Sequence, residues 1–402
     1  MAKNTRDLTI EQQLARGPID IPFAMLVGLL TLIGVIMVFS ASYPTAVNEG
    51  RAPTHYFFRQ VFYAVLGMVA MYFTSKWNYQ RWRGLSVMVL AAAYVSLVLV
   101  LTPLGYGRAT VGAQRWIRVP LVGSFQPSEI AKLGVILYFS ARMSKRRGEK
   151  KKNFSKRLMF SGLLNKLDDW GFFELVPYGV ILLAIVALMA LEPHLSGTIL
   201  VLVPAVAILF AGGIPGIWFG LGIGGVVGGI LIAPHILKPY QMKRIYIWQD
   251  PWAYPREGGY QIIQSLYAVG SGGLFGVGFG QGRQKQLFLP ESENDFIFSV
   301  CCEELGLIGA GLILLLFVLL IIRGYWIALH ARDRFGSLLV VGIITLLAVQ
   351  VFLNVSVVTN LLPTTGVSLP FFSFGGTALV LQLVEMGIIL AVSRQIPAPR
   401  QG

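Results

Sequence analysis

Apolar runs separated by short polar segments fill most of this chain and restrict the folds that it can adopt. A helix that crosses a bilayer needs about 17–25 predominantly apolar residues, and the sequence offers about ten segments of that kind. We predict spans at 21–42, 57–74, 85–103, 126–141, 175–191, 197–212, 214–237, 296–322, 337–360 and 375–393. The pattern predicts an all-α integral membrane protein, a polytopic bundle of about ten transmembrane helices.

The composition agrees with a membrane protein and argues against a soluble one. Of the 402 residues, 55% are hydrophobic and only 13% are charged, whereas a soluble domain carries about 25% charged residues. The net charge of +14 would suggest a nucleic-acid partner in a soluble protein, but here the charges lie between apolar runs. We therefore expect contact with anionic membrane lipid and no binding of nucleic acid.

The positions of the basic residues predict the orientation of the chain. Most of the 33 Lys and Arg residues fall on one side if the N-terminus is inside, with the densest run between Arg142 and Lys166. The positive-inside rule then puts both termini in the cytoplasm. The predicted divisions are a cytoplasmic segment 1–20, helices 1–7 in 21–237 with a basic cytoplasmic loop 142–174, a large extracellular loop 238–295 between helices 7 and 8, helices 8–10 in 296–393, and a cytoplasmic tail 394–402.

The predicted extracellular loop 238–295 carries several features of a functional site. Loops longer than about 12–15 residues are usually functional or disordered, and the many aromatic residues here argue against disorder. Its segment QIIQSLYAV is typical of a short amphipathic helix at a membrane interface. Glycines recur from Gly270 to Gly282, directly before Arg283 and Lys285. Such a segment can turn backbone amides toward an anion such as a pyrophosphate, and a flexible linker is the alternative.

Asp295 is the last polar residue before the apolar run 296–322. Partial removal from water raises the pKa of a carboxyl group toward the working range of a general base. Asp295 is therefore a candidate catalytic residue. The alternative is that Asp295 caps the N-terminus of the following helix, because aspartate is favoured at that position.

Ionisable residues inside membrane spans are costly and are candidates for function. Glu129 and Lys132 are three residues apart, so a helix makes them neighbours on one face. They either neutralise each other or leave Lys132 able to bind a phosphate. Arg59 is at the end of its span, where its side chain can instead reach the membrane interface. The other ionisable residues in spans or at their ends are Glu192, His194, Glu303, Glu304 and Glu385.

Two further patterns predict packing. Cys301 and Cys302 are adjacent within an apolar run, so we expect packed thiols and no disulfide or metal site. Gly220, Gly224 and Gly228 recur at the spacing that lets membrane helices approach closely. A mobile helix beside a lipid-accessible groove is the alternative for these glycines.

Three segments, 112–134, 261–309 and 360–380, resemble the signature of the shape, elongation, division and sporulation family. The likeness extends from about Ile21 to Arg394. The resemblance implies a peptidoglycan glycosyltransferase that polymerises lipid II on the outer face of the bacterial cytoplasmic membrane. It also implies a class B penicillin-binding protein as the partner that crosslinks the product.

The resemblance also implies roles for individual residues. The family's essential aspartate, in a Pro-Glu-x-x-x-Asp-Phe-Ile-Phe motif, falls on Asp295, and its Gln-Pro-Ser-Glu-x-x-Lys motif falls on 126–132. Two further family motifs fall on 363–366 and 369–373. Many members have Pro-Asp-Leu-Gly-Thr where this chain has 193–198, PHLSGT, which puts a role for that aspartate in doubt. The candidate substrate-binding residues are Lys132, Glu129, Arg283, Lys285, Arg59, Arg115, Ser368 and Ser373.

The implied reaction matches the residues that the sequence offers. A lipid pyrophosphate is a good leaving group once cations neutralise its negative charge. Basic residues or a divalent cation such as Mg²⁺ or Mn²⁺ could supply the positive charge. No acidic cluster with metal-ligand spacing is visible. Attack by an acceptor hydroxyl requires one base, whereas hydrolases use a pair of carboxylates. The alternatives are a lipid II flippase that uses the intramembrane charges, and a non-catalytic membrane scaffold for the penicillin-binding protein.

Overall fold

The computed structural model describes residues 17–106, 115–119, 123–146, 171–192, 195–236, 239–256 and 258–396. This part of the chain contains twelve α-helices. They are α1 Ile21–Asn48, α2 His55–Lys76, α3 Gln80–Val100, α4 Pro127–Met143, α5 Phe172–Leu191, α6 Leu195–Ala211, α7 Ile217–Ile236, α8 Pro239–Gln249, α9 Gly259–Ser271, α10 Ile297–Leu329, α11 Arg334–Val358 and α12 Gly376–Ser393. All but α8 and α9 occupy the predicted spans, with boundaries shifted by a few residues.

The helical membrane fold is confirmed. Seven of the described helices are long and apolar enough to cross a membrane, and α4 and α6 fall just short at 17 residues each. Large apolar side chains such as Phe58, Leu183 and Leu312 are exposed on the outside of the bundle. Exposed apolar area on this scale suits a hydrocarbon environment, where helices satisfy their own backbone polar groups. Helix α9 contains the segment QIIQSLYAV, so the short helix predicted there is also confirmed.

Contacts between distant segments separate the bundle into two ends. At the end that we call the termini end, Gly17 bonds with Arg394, Asp20 with Arg323, and Tyr79 with Asp333. At the opposite end, which we call the loop end, Ser196 bonds with Thr365, Trp248 with Asn360, and Glu293 with Phe374. The N-terminal and C-terminal segments therefore lie at the same end of the bundle, as the distribution of basic residues predicts for an even number of spans.

A three-stranded antiparallel sheet at the loop end was missed by the all-α prediction. Its strands are β1 Gly105–Tyr106, β2 Trp116–Val119 and β3 Gly123–Phe125. In the register, Ile117 of β2 lies opposite both Gly105 and Phe125. The strands are too short for their hydrophobic pattern to stand out next to a membrane span. Because β3 ends just before Gln126, the sheet fixes the start of α4.

Helix α10 is broken at Gly306, which has φ 68° and ψ −172°, whereas a single span was predicted here. The glycine-rich segment pairs with the break through main-chain bonds. Val277 N donates to Glu303 O at 3.0 Å, Gly278 N to Glu304 O at 3.1 Å, Leu307 N to Gly273 O at 2.9 Å, and Ile308 N to Leu274 O at 3.1 Å. The glycines that follow α9 therefore form part of the packed structure, and the flexible-linker interpretation is wrong for them.

The two packing predictions have different outcomes. Cys301 and Cys302 are free and buried, as predicted. No atom among the described residues lies within 4 Å of a Cβ built on Gly220, Gly224 or Gly228, so close packing of these glycines is not found. The spacing of small residues makes close approach possible, but a partner helix must also be brought to that face.

Candidate active site

Asp295 lies between α9 and α10 at the loop end, and its side chain is half-buried. A Cβ added to Gly366 would lie 3.2 Å from Asp295 Oδ2, so the carboxylate adjoins the segment between α11 and α12. Helix α10 has Phe296 at its N-cap and no side-chain cap bond. The N-cap interpretation of Asp295 is therefore wrong, and its carboxylate is available for another role.

Asn354 of α11 fixes the main chain at Asp295. Its Nδ2 donates to the carbonyl oxygens of Asp295 and Val367, both at 2.7 Å. Asn354 is buried, and nothing in its sequence context marked it as a site residue. The signal that could have drawn attention to it is a polar amide within an otherwise apolar span.

Ser373 supports the same region through its own bonds. Its hydroxyl accepts from the Leu369 amide and donates to the Asn294 carbonyl, both at 2.8 Å. Gln60 Nε2 donates to the Ser373 carbonyl at 3.2 Å. The Ser373 side chain is buried, so the structure gives it a part in holding the loop beside Asp295, and it does not line the polar cavity described below.

A small polar cavity of about 30 Å³ adjoins Gly366. It is lined by Gln126, Ser128, Glu129, Lys132, Ser196, Gly197, Leu200, Gln350, Gly366, Val367 and Ser368. Lys132 Nζ lies 2.6 Å from Glu129 Oε2, and the Lys132 side chain is 3% exposed. The predicted ion pair therefore forms. The structure also brings together Glu129, Lys132 and Ser368, and Gly366 connects their cavity to Asp295.

The charged groups around Asp295 set its proton affinity. The pKa of Asp295 is raised to about 6, mainly by burial and also by the negative charge of Glu291, while the positive charge of Arg115 opposes the rise. Arg115 directly precedes β2 and is partly buried, and its positive charge acts on the Asp295 carboxylate. A carboxyl with a pKa near 6 is mostly ionised at neutral pH and retains more basicity than an exposed aspartate.

Glu192, at the end of α5, is a second buried acid that interacts with Arg115. Burial raises the pKa of Glu192 to about 7, and the positive charge of Arg115 opposes that rise. Its Oε1 has no hydrogen-bond partner among the described residues. The sequence marked Glu192 only as an ionisable residue at a span end, and its neighbour His194 lies outside the described residues.

Lys285 is not brought to the cavity. Its Nζ lies 2.6 Å from Glu304 Oε1 and 2.7 Å from Ser40 Oγ, and its side chain is 3% exposed. Ser40 Oγ also donates to the Glu304 carboxylate at 2.7 Å. Lys285 thus ties the loop before α10 to α1 through a buried ion pair. This placement favours a structural role over contact with a ligand.

A pyrophosphate site was predicted at the glycine-rich segment, and the structure places two carboxylates of the chain itself at amides of this segment and of the residues after it. Backbone amides converge on two carboxylates of α10. Gly280 N donates to Glu304 Oε2 at 3.0 Å, Arg283 N to Glu303 Oε1 at 2.8 Å, and Gln284 N to Glu303 Oε2 at 3.2 Å. These amides are therefore already bonded to Glu303 and Glu304, and a pyrophosphate would have to displace those side chains to reach them.

Arg283 and Arg59 are both exposed, and neither lines the cavity. Arg59 lies in the first turns of α2, at the loop end. Their side chains are open to the surroundings, so contact with a charged headgroup remains a prediction for both.

Among the described residues, those whose charge acts on Asp295 do not form a set of metal ligands. They are one acid, Glu291, and one cation, Arg115. In the described ranges, no three His, Cys, Asp or Glu side chains group as ligands. A guanidinium beside the carboxylate already supplies positive charge, which opposes binding of a second cation there.

A family model described as a cell cycle protein, FtsW/RodA/SpoVE, matches residues 21–397. The chain belongs to this family. It is 42% identical over 381 residues to stage V sporulation protein E of Bacillus subtilis, covering 93% of this chain and 97% of that protein. It is also 39% identical over 377 residues to the probable peptidoglycan glycosyltransferase FtsW of Geobacter metallireducens, covering 94% and 95%. The resemblance seen in the sequence motifs is confirmed.

Two solved structures share the fold of this chain. One, described as structural coordination of polymerization and crosslinking by a peptidoglycan synthase complex, matches with a TM-score of 0.71 and 27% identity, covering 94% of this chain and 98% of that one. The crystal structure of the rod shape determining protein RodA of Thermus thermophilus matches with a TM-score of 0.63 and 25% identity, covering 95% and 98%. The protein is therefore a multi-pass membrane protein of this family.

Proposed function

We propose that this family member is a peptidoglycan glycosyltransferase that polymerises lipid II at the outer face of the bacterial cytoplasmic membrane. The observation that carries the proposal is the half-buried carboxylate of Asp295, which adjoins Gly366 and the polar cavity lined by Lys132 and Ser368. Relatives at 37–39% identity are named probable peptidoglycan glycosyltransferases. In this proposal the loop end faces outward and both termini are cytoplasmic.

In the proposed reaction, Asp295 acts as the general base. It accepts the proton of the C4 hydroxyl of an acceptor lipid II, and the hydroxyl oxygen attacks the anomeric carbon of the donor. The new glycosidic bond forms as the bond to the pyrophosphate breaks, and the bonding electrons leave with undecaprenyl pyrophosphate. A single displacement inverts the anomeric carbon and needs only one carboxylate.

The residues beside Asp295 supply charge and hydrogen bonds for this step. Arg115 is the cation that interacts with Asp295, and Lys132 is buried at the cavity with Glu129. Fixed positive charge in a site of low water content stabilises a departing phosphate more than it would in bulk water. Ser368 offers a hydroxyl at the cavity wall. No step is assigned to a divalent cation.

The proposed partner is a class B penicillin-binding protein that crosslinks the glycan product. The support for this partner is the likeness to a chain from a peptidoglycan synthase complex in which polymerization and crosslinking are coordinated.

The experiment is polymerisation of purified lipid II by the purified chain, with and without divalent metal and the partner. We expect Asp295→Asn to unfold at the same temperature as wild type in detergent but to make no glycan chains. Glu49→Gln is the matched control, because Glu49 is an acid at the same end of the bundle that pairs with Arg51 and Tyr56. Glycan chains made by Asp295→Asn at the wild-type rate would contradict the proposal.

The same preparations test the two alternatives. Glycan synthesis by the isolated chain would exclude a purely non-catalytic scaffold. For the flippase, lipid II movement is followed in liposomes that contain wild type or Asp295→Asn. Movement that survives the substitution, without glycan synthesis by wild type, would favour the flippase over the polymerase.

A further inference from the structure

An apolar groove of about 690 Å³ lies between α1 and α2. Val35 of α1 and Val61 and Ala64 of α2 are among the residues that line it, and none of its lining residues borders the polar cavity beside Gly366. A volume of this size falls in the range of small-molecule sites, about 300–1,000 Å³. This groove, which we call the α1–α2 groove, therefore has room for a ligand and is separate from the cavity beside Asp295.

The α1–α2 groove differs at its two ends. At the loop end, the rings of Phe39 on α1 and Phe57 on α2 contact each other with their centroids 5.3 Å apart, and Phe57 lines the groove. At the termini end, the groove reaches Tyr72 and Phe73, whose side chains are exposed. A chain-shaped ligand would therefore enter this groove from the termini end.

The dimensions of the α1–α2 groove fit one kind of occupant. From Phe57 to Phe73 the groove follows α2 for about 24 Å, at about 1.5 Å per residue. This length exceeds the hydrocarbon region of one leaflet, which is about 15 Å. The volume spread over that length gives a mean cross-section of about 29 Å², whereas a helix about 10 Å across occupies about 80 Å². An extended hydrocarbon chain fits this space, and a helix of another protein does not.

Lys76 places a positive charge at the termini end of the groove. It is the last residue of α2, one helical turn after Tyr72. Its Nζ donates to the Tyr72 hydroxyl and lies 4.0 Å from the centre of that ring. Trp77 follows it and is half exposed. Lysine and tryptophan at the end of a span are typical of the membrane–water interface, which is the depth at which phospholipid phosphates lie.

Among the residues that the structure describes, no acid pairs with Lys76. Asp20, the acid at the start of α1, pairs instead with Arg323 at 2.8 Å. An ammonium carries three N–H donors, and the bond to Tyr72 uses one of them. Lys76 is thus a cation with further donors at the mouth of an apolar groove, which is complementary to a ligand with an anionic head and an apolar chain.

We propose that the α1–α2 groove and Lys76 form a binding site for an anionic phospholipid of the leaflet at the termini end. One acyl chain lies in the groove, and the phosphate accepts hydrogen bonds from the Lys76 ammonium and the Tyr72 hydroxyl. A charge-assisted bond of this kind is stronger than a bond between neutral groups. The site lies at the opposite end of the bundle from Asp295 and takes no part in the reaction proposed there.

The ends of the groove favour a phospholipid over the isoprenoid chain of a substrate. An isoprenoid whose headgroup lies beside Asp295 would enter from the loop end, where Phe39 and Phe57 are in contact. Its headgroup would also be too far from Lys76 for the charge of that residue to bind it. A phospholipid that enters from the termini end uses both the open end of the groove and the cation beside it.

The test measures binding of phosphatidylglycerol to the purified full chain in detergent, by native mass spectrometry that counts the lipids retained. We expect wild type to bind phosphatidylglycerol more tightly than phosphatidylcholine, whose headgroup has no net charge. Lys76→Ala should weaken phosphatidylglycerol binding about five- to tenfold and remove the preference. Arg332→Ala is the matched control, because it removes an exposed arginine at the same end between α10 and α11, and it should bind as wild type does.

A second variant tests the groove itself. Gly28 lines the groove, and a Cβ added there has no atom within 4 Å, so Gly28→Leu can place its side chain in the groove without a clash. We expect it to weaken binding of both phospholipids about tenfold. Its unfolding temperature without added lipid should not fall, because leucine favours a helix more than glycine does. Gly311→Leu, an exposed position on α10 with the same open space, is the control and should bind as wild type does.

Thermal unfolding gives a second measurement of the same site. A ligand that binds only the folded chain raises its unfolding temperature, so phosphatidylglycerol should stabilise wild type and Gly311→Leu more than Gly28→Leu. Glycerol 3-phosphate should neither stabilise wild type nor displace the lipid, because it has no acyl chain. Displacement by glycerol 3-phosphate would show that Lys76 binds free phosphate, and the lipid site would be overturned.

Two other results would also overturn the proposal. One is equal phosphatidylglycerol binding by Lys76→Ala, Gly28→Leu and their controls. The other is tighter binding of undecaprenyl phosphate than of phosphatidylglycerol, lost in Gly28→Leu and kept in Lys76→Ala, which would assign the groove to an isoprenoid chain. Asp295→Asn should bind phosphatidylglycerol as wild type does, so the result is independent of whether the chain polymerises lipid II.

Discussion

Asn354 Nδ2 lies 2.7 Å from the main-chain oxygen of Asp295 and donates a hydrogen bond to it. The same nitrogen donates to the Val367 carbonyl at 2.7 Å. One amide of α11 therefore joins the residue proposed as the base to the segment that contains Gly366. The position of the carboxylate depends on a side chain that has no chemical part in the reaction.

Replacement of Asn354 tests this dependence. Asn354→Ala leaves two carbonyls without their donor, at a cost of about 1–3 kcal/mol for each one that stays buried. We expect a lower unfolding temperature and a polymerisation rate reduced by about tenfold or more, since small errors in position are costly to catalysis. Asn48→Ala, which alters an exposed asparagine at the loop end, is the control. An Asn354→Ala protein with wild-type kinetics would show that the bond does not position Asp295.

The parts of the fold set by local pattern could be predicted from the sequence. Span positions follow from the length of apolar runs, and the pairing of Glu129 with Lys132 follows from their spacing on a helix. Asn354 and Glu192 could not be predicted in the same way. Asn354 bonds to Asp295, and the charge of Arg115 acts on Glu192, so both relationships join segments far apart in the chain. No local sequence pattern predicts relationships between such distant segments.

Lys285 is a single residue that shows the same limit of prediction from local sequence pattern. A cation after a glycine-rich segment is a reasonable candidate for binding phosphate, and the segment does bind carboxylates through its amides. The sequence could not show that Glu303 and Glu304 would be those carboxylates. That outcome depends on the break at Gly306, and nothing distinguishes this glycine from the many others in the chain.

Gly306→Ala should disrupt the junction between α10 and the glycine-rich segment. A Cβ at Gly306 would lie 2.2 Å from the Gly276 nitrogen, and the φ of 68° is itself unfavourable for alanine. We expect a loss of more than about 2 kcal/mol of stability, because backbone atoms on both sides must move. Thermal unfolding in detergent measures the loss. Gly311→Ala, on the same helix with no atom within 4 Å of its Cβ, should unfold close to wild type; equal unfolding of both variants would contradict the close contact.

The buried pair of Lys285 and Glu304 should show strong coupling. Lys285→Met leaves the Glu304 carboxylate buried with Ser40 as its remaining side-chain partner, which costs about 3–5 kcal/mol. Replacing both, as Lys285→Met with Glu304→Leu, should cost less than the sum of the single changes. A double-mutant cycle on thermal unfolding measures the coupling. Arg283→Ala, which keeps the backbone bond to Glu303, should leave stability unchanged. If the double substitution lowers stability by the sum of the two single substitutions, the pair contributes no coupling energy.

The pH dependence of polymerisation should report the proton affinity of Asp295. Burial is the main cause that raises the pKa of this carboxyl to about 6, and the charge of Glu291 adds to the rise. The base works only when ionised, so kcat/KM should stay level above this pKa and fall about tenfold for each pH unit below it. Stopped assays with purified lipid II between pH 4.5 and 8, about the range in which the protein is expected to stay folded, give the profile.

Replacement of Glu291 tests the direction in which its charge shifts the pKa of Asp295. Glu291→Gln removes a negative charge that disfavours ionisation of Asp295, and the amide can still accept the bond that Asn294 Nδ2 makes with Glu291 at 2.7 Å. The pKa of Asp295 should fall, so the acid limb of the profile should move to lower pH. Glu49→Gln should leave the limb in place, because the charges that shift the pKa of Asp295 are those of Glu291 and Arg115. A limb that moves to higher pH in Glu291→Gln, or that moves equally in both variants, would mean that another group controls the profile.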